Sequence, residues 1–319
     1  MKRVTRTVLI TLAVLVSIGS LTGAAVAVPI IVDHYDTDLT ERTQAQYQLA
    51  KDTLHIAYGH TSHGSQITSG MTGMVGFING GGLGLTGYAD DFFDWNNGGG
   101  DGALDLHDYA MGGDVGYYPQ WVNNTRAYLN NPANVDVNVI MWSWCGQVDE
   151  KYAAGTLDND YLTPMAQLEA EYADVSFVYM TGHVDIWDDA NNKAANEIIR
   201  AFCEDNDKIL YDFADIERYN PDGDFFEFVN DNCNYYDSVG GSLIGNWATE
   251  WQNDPKHVEG VDWYDVYAAH SQALNGNQKA YAAWALFADI AEARAVPIPG
   301  AAWLMGSVLL GVIGLRRRR

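Results

Sequence analysis

The sequence predicts an α/β fold, a three-layer sandwich built on a mainly parallel sheet. Three observations lead there. Short apolar or alternating runs at residues 53–58, 135–142, 175–181 and 208–213 have the length of strands. Segments of helical length at 65–78, 118–129, 162–172 and 193–203 separate them. Strands that alternate with helices are joined by crossovers, and crossovers give parallel pairing with helices over the sheet.

Each element has its own warrant. Residues 36–49 are polar and of helical character. The first strand, TLHIAY at 53–58, alternates and is closed by Gly59. Residues 59–64 form a turn, and the helix 65–78 leaves it. From 80 to 116 the chain is rich in Gly, Asp and Asn, with NNGGGDG at its centre, and reads as a long loop that is functional or mobile. Its stretch 94–101 has calcium-loop composition without EF-hand spacing or a final bidentate Glu, which favours a solvated loop. VDVNVIMW, VSFVYMT and KILYDF supply the later strands. Residues 220–262 are irregular and aromatic-rich, and 273–293 form a long Ala-rich helix with a Trp/Phe face. No repeat or interior linker divides residues 28–295, so they are expected to be one domain.

The two ends follow another logic. Lys2, Arg3 and Arg6 precede an apolar run at 8–18 and then Ala25-Val26-Ala27, the pattern of a signal peptide spanning 1–27 and cut before Val28. At the other end Val296-Pro297-Ile298-Pro299-Gly300 leads into an apolar stretch at 301–315 and then Arg316 to Arg319. An apolar helix followed by arginines stops translocation with the charges inside, so a C-terminal transmembrane helix is expected. The segment 296–319 resembles the PEP-CTERM sorting tails of Gram-negative bacteria, in the variant beginning Val-Pro-Leu-Pro. Ile298 replaces Leu and Gly300 replaces the usual Ala. That resemblance implies an exosortase-type protease as partner, attachment to the inner membrane before processing, and delivery to the cell surface or extracellular matrix. A plain C-terminal anchor gives nearly the same location.

The formal charge is −24, and the two ends carry seven basic residues and no acid, which leaves the remainder near −31. Such a surface repels nucleic acid and anionic lipid, and both are excluded as partners. It suits a solvated protein at high ionic strength or one that attracts cations. Cys145, Cys203 and Cys233 are too few for a disulfide framework, although an oxidising compartment permits one pair. No Cys/His spacing indicates zinc, and no cofactor is expected.

In open parallel sheets, ligands sit at the carboxyl ends of the strands. Those ends read GHTSHGSQ, SWCGQVDE, GHVD and DFADIE, and DVYAAHSQALNG precedes the last helix. The expectation is that His60, Ser62, His63, Ser65, Gln147, His183, Asp185, Asp212 and His270 converge on one rim. A serine hydroxyl needs a histidine to take its proton, an acid to orient that histidine, and donors for the oxyanion. Ser62 lies in a strand-to-helix turn beside Gly64. His270 follows Asp262 and Asp265, and Gln147 offers an amide N–H.

This order resembles the SGNH (GDSL-type) hydrolases over roughly residues 53–291. By that resemblance Ser62, in Gly59-His60-Thr61-Ser62, stands for the nucleophile, Gly112 or Gly113 for the oxyanion glycine and His270 for the base. Gln147 stands where the family has Asn. Tyr267 occupies the place of the family's Asp, three residues before the histidine, which leaves Asp265 or Asp262 as the acid. The segments HTSHGS, MWSWCGQ, YMTGH and YDFADIE also resemble secreted bacterial proteins with no assigned reaction.

The expected activity is therefore a serine esterase or acyl hydrolase at the cell surface, with acylated polysaccharide as a substrate class suggested by location. Two alternatives stay open: a non-catalytic matrix or adhesion protein on the same fold, and a metal-dependent hydrolase using His60, His63, His183 and Asp185. Each site residue also has a structural reading. Ser62 or Ser65 can cap the following helix, and Gln147 can satisfy loop backbone.

Overall fold

Apolar residues in short runs between helices leave little choice but a sheet covered on its faces. The computed structural model describes residues 28–295, and the segments expected to act in secretion (1–27) and sorting (296–319) lie outside the described residues. The chain begins with β1 (Ile30–Val32), α1 (Gln44–Thr53), β2 (His55–Gly59) and α2 (Ser65–Asn79). Next come β3 (Trp95–Asn96), β4 (Leu104–Met111), α3 (Gln120–Leu129), β5 (Val139–Trp142) and α4 (Val148–Ala153). The units α5 (Thr163–Glu171), β6 (Ser176–Met180), α6 (Asp189–Asp205), β7 (Ile209–Tyr211) and α7 (Phe213–Ile216) follow. A hairpin of β8 (Asn234–Tyr236) and β9 (Leu243–Asn246), then α8 (Trp247–Asn253) and α9 (Ala273–Ala295), complete it.

Seven strands form one parallel sheet in the order β1-β7-β6-β5-β2-β4-β3. α1 and α2 each pack on α9, while α3 packs with α5 and α4 with α6, consistent with a three-layer sandwich. β5 is wholly buried, which explains why it reads as a continuous apolar run. No helix among the described residues is long and apolar enough to cross a membrane; the expected C-terminal span lies outside them.

Several expectations need correction. Residues 80–116 are not one loop, because β3 and β4 lie within them and β4 is an interior strand. The alternation of β4 is masked by Asp105, His107 and Asp108. Buried Asp105 accepts from Gly98 N (2.6 Å) and binds His55 Nδ1 (2.7 Å) and His107 Nε2 (3.1 Å), so a strand that looks polar is in fact satisfied inside. Residues 36–49 divide into a 3₁₀ turn, His34–Thr37, and α1, whose start is set by a Thr43/Gln46 capping box. The strand expected at 135–142 is shorter, since a 3₁₀ turn at Pro132–Asn134 precedes it and β5 starts at Val139. The irregular segment 220–262 contains the β8–β9 hairpin and α8.

The sheet order places the site. From β2 the chain moves to β3 and β4 on one side, then crosses to β5 on the other, so the order reverses at β2. Crevices open at such a switch point. Gly59 and Trp142 end their strands in register, and Ser143 N bonds Gly59 O at 3.0 Å. The loops after β2 and β5 therefore leave side by side. Gly59 has to be glycine: a Cβ there would lie 2.4 Å from the Trp142 ring.

Candidate active site

The turn after β2 is held tightly. A Cβ on Gly64 would meet Ser143 Oγ at 2.2 Å, and Ser65 Oγ donates to Ser62 O at 2.7 Å. Ser65 is thus a structural helix-start residue, while Ser62 keeps its own Oγ for the crevice. His270 approaches from the loop before α9. Gln66 Nε2 donates to Ala269 O at 2.6 Å, pinning that loop to α2. With φ of +65°, His270 then sets its Nε2 2.9 Å from Ser62 Oγ, across 208 residues of sequence.

A second group shares the crevice. Cys145, just past the end of β5, brings its Sγ 3.2 Å from Ser62 Oγ and 3.3 Å from His63 Nδ1. His63 Nε2 is 3.1 Å from Asp231 Oδ2. The His63 ring is stacked between His183 (centroids 3.9 Å apart) and His270 (4.4 Å). Burial works against the His63 charge, but Asp231 and Cys145 outweigh it and raise its pKa to about 9. Burial likewise opposes a Cys145 thiolate, yet hydrogen bonds from His63 and Ser62 win and bring the thiol down to about 5. Both shifts come from the same contact, and both favour a thiolate beside an imidazolium.

Gly113 and Gln147 flank this arrangement without touching Ser62 or His270 through any hydrogen bond among the described residues. Gly113 has φ of +91° and precedes Asp114, whose carboxylate accepts from Thr61 Oγ1 at 3.2 Å and from Gly116 N at 3.0 Å. Burial raises the Asp114 pKa, partly offset by those bonds. The Gln147 side chain lies against Gly116 beside Asp114, and its Oε1 is buried with no partner. The N–H groups of Ser65, Gln66 and Ile67 at the start of α2 already bond Ser62 O, His63 O and Gly64 O, which leaves those of Ser62 and Gly64, in the turn before it, as the better oxyanion donors.

Other residues do not assemble as expected. No carboxylate among the described residues hydrogen-bonds His270: Asp265 is exposed, and Asp262 instead accepts from Val258 N at 2.7 Å. Eight residues before His270, Asp262 is spent on the local turn, and Asp265, five before it, faces outward. His60 is buried against Tyr58 and Tyr109 and bonds Asp108 at 2.6 Å. Asp185 accepts from Trp187 N at 2.8 Å. His60 and Asp185 thus do not gather with His63 and His183 as close ligand atoms; Asp231 does. Asp212 bonds Arg200 Nη2 (2.9 Å) and Thr181 Oγ1 (2.9 Å) and is structural.

His63, His183 and Asp231 bring ligand atoms within 4.8 Å of one another, close enough to share a cation. The two ring nitrogens of His63 contact Cys145 and Asp231. His183 donates through Nδ1 to Val184 O at 2.8 Å, which fixes its ring beside His63. Cys145, Cys203 and Cys233 are all free thiols, so the permitted disulfide is not formed.

Sequence reasoning missed Cys145 as chemistry and missed Asp231 altogether. Cys145 had a visible signal, a thiol at a strand's carboxyl end beside a histidine-bearing turn. Asp231 had none, because it lies in an aperiodic segment. Comparison with family models, with curated proteins and with solved structures finds no match.

Proposed function

We propose that this chain is an exported acyl hydrolase with an SGNH-like domain, cleaving esters through a covalent acyl-enzyme. The observation that carries the reading is the 2.9 Å approach of Ser62 Oγ to His270 Nε2. Ser62 attacks the ester carbonyl while His270 takes its proton, and His270 then returns that proton to the leaving alkoxide. Backbone N–H groups of the turn before α2, at Ser62 and Gly64, receive the oxyanion, close to the helix start whose dipole favours negative charge. Water deacylates the serine by the same proton path.

The terminal segments support a place at the cell surface or in the extracellular matrix of a Gram-negative bacterium, reached through an exosortase-type protease. Acylated polysaccharide is the substrate class this location favours. Exposed rings support it too: Tyr109 on β4, Trp187 after β6 and Tyr267 before α9 offer faces for sugar stacking. The acidic surface disfavours polyanions.

The test is labelling of the full-length chain with a fluorophosphonate, followed by mass mapping. Labelling at Ser62 that disappears in Ser62→Ala supports the reading; an unlabelled Ser62 ends it. One observation favours a second reading, a non-catalytic matrix protein: His270 lacks an orienting carboxylate. Absence of any adduct or turnover is what that reading expects.

A further inference from the structure

We propose that Cys145 is a second nucleophile of this crevice, with His63 as its proton carrier and Asp231 as the residue that positions His63, giving the chain a thiol-dependent acyl-transfer activity towards thioesters and activated esters. The inference rests on the acyl-hydrolase reading only for the class of electrophile; the thiol arrangement stands on its own distances.

Three groups from three distant stretches are in line. Cys145 Sγ meets His63 Nδ1 at 3.3 Å, and His63 Nε2 meets Asp231 Oδ2 at 3.1 Å, with 82 and 168 residues between the partners. A nucleophile, a base and an orienting acid are what covalent catalysis requires, and here the acid is present, unlike at His270. Local backbone serves the same end. Gly146 (φ +88°) and Gln147 (φ +63°) turn the chain sharply away after Cys145. The sulfur is left half-buried at the carboxyl end of β5, beside the start of α2. His183 and His270 stack on either side of His63 and keep its ring from turning away from either partner.

The other thiols show what burial alone does. Burial pushes Cys203 up, and it pushes Cys233 up to about 12. Cys145 moves the opposite way, to about 5, because donors surround its sulfur. The charged and titratable groups facing this relay are His63, His183, His270, Asp231, Asp114 and Glu217. A polar cluster that merely braced the crevice would not need a half-exposed sulfur at its end.

The step balances without an added oxidant or reductant. The Cys145 thiolate attacks the acyl carbonyl, and a C–S bond forms. The C–O or C–S bond to the leaving group breaks, and the leaving anion takes the proton of the His63 imidazolium. Water then gives a proton to His63 and attacks the thioester; the C–S bond breaks and the thiolate returns with the free acid.

Two measurements on the full-length chain decide the matter. The first is the pH profile of iodoacetamide alkylation, mapped by mass to each cysteine. Cys145 is expected to react with a midpoint near 5, and at neutral pH roughly tenfold or more faster than Cys203 or Cys233. A midpoint in the ordinary thiol range, about 8.5, overturns the proposal. This measurement needs no substitution, so a variant that fails to fold cannot obscure it. The second is incubation with a short-chain acyl thioester and acid quench. An acyl adduct on Cys145 that persists in Ser62→Ala and is lost in Cys145→Ala and Asp231→Asn supports the proposal. Adducts confined to Ser62 overturn it and leave the serine reading standing. Adducts on neither residue end both.

Discussion

Ser62 Oγ and Cys145 Sγ lie 3.2 Å apart at the point where the loops after β2 and β5 leave the sheet side by side. The serine has one proton and two neighbours able to accept it, His270 and the Cys145 sulfur. A hydroxyl that donates to sulfur is not donating to its base. Replacing the sulfur should therefore release it. Cys145→Ala is expected to raise the rate of fluorophosphonate labelling at Ser62 by about tenfold, the equivalent of one hydrogen bond to a charged group at the weak end of its range, about 1.4 kcal/mol. Stopped-time labelling read by mass spectrometry checks it; an unchanged or slower rate means that the sulfur does not hold the hydroxyl back.

His270 is exposed and sits at positive φ, which Asn tolerates better than most residues. His270→Asn should therefore keep the fold while removing the base. The expected loss in ester turnover is about 10²–10⁴-fold, the range for a positioned proton acceptor. An assay with an activated acyl ester, paired with an unchanged melting temperature, is the check. A loss smaller than about tenfold would remove His270 from the chemistry.

The Asp231–His63 bond makes stability depend on pH in a defined window. Asp231 titrates below its usual 3.8: burial alone raises it, but the His63 bond and the charges of His183 and His63 prevail. Its contribution is present above that usual value and is lost as pH falls through the depressed one. His63 is raised from 6.5 to about 9, so its contribution is complete below 6.5 and fades as pH rises through about 9. The bond is fully effective only between those limits. Asp231→Asn should destabilise the protein by about 1.5–3 kcal/mol at pH 5 to 6, with a difference that shrinks towards pH 3 and pH 10. Melting curves across that range test it, and a difference independent of pH contradicts it.

The legible part of this molecule is the part governed by period and length. β2, β5, β6 and β7 announce themselves as apolar runs, and the α2, α3 and α6 segments as helical lengths between them. β4 hides because its Asp105 and His107 are satisfied by each other, by His55 and by backbone, a partnership made across sequence distances that local patterning does not sense. The site divides in the same manner. Ser62 and His270 are placed by strand-end geometry and can be read from it. The orienting acid cannot, because Asp262 and Asp265 look suitable by spacing while Asp231, within reach of His63, comes from an irregular segment folded back over the crevice. Gln147 shows the limit from the other side: it follows β5 as expected, but its side chain lies against Gly116 beside Asp114.

Below the crevice, α9 is buried from Ala273 to Ala291 except at Asp289, yet it carries Lys279 with no exposure. Its Nζ bonds Glu217 Oε1 at 2.6 Å and also Gln66 Oε1, while Glu217 Oε2 accepts from Val184 N at 2.7 Å. The ion pair thus ties α9 to α2, which leaves the Ser62 turn, and to the loop that carries His183. Burial lowers the Lys279 pKa, opposed by Glu217, so the pair exists at a desolvation cost that each partner offsets for the other. Removing one partner strands the other charge. Lys279→Met should cost about 3–5 kcal/mol, whereas Lys279→Met combined with Glu217→Gln should recover part of that loss, because no bare charge then remains inside. Urea midpoints at pH 7 for the two variants give the answer. If the double variant is the less stable, the pair contributes more by attraction than it loses by desolvation, and a stranded charge is not what makes the single substitution costly.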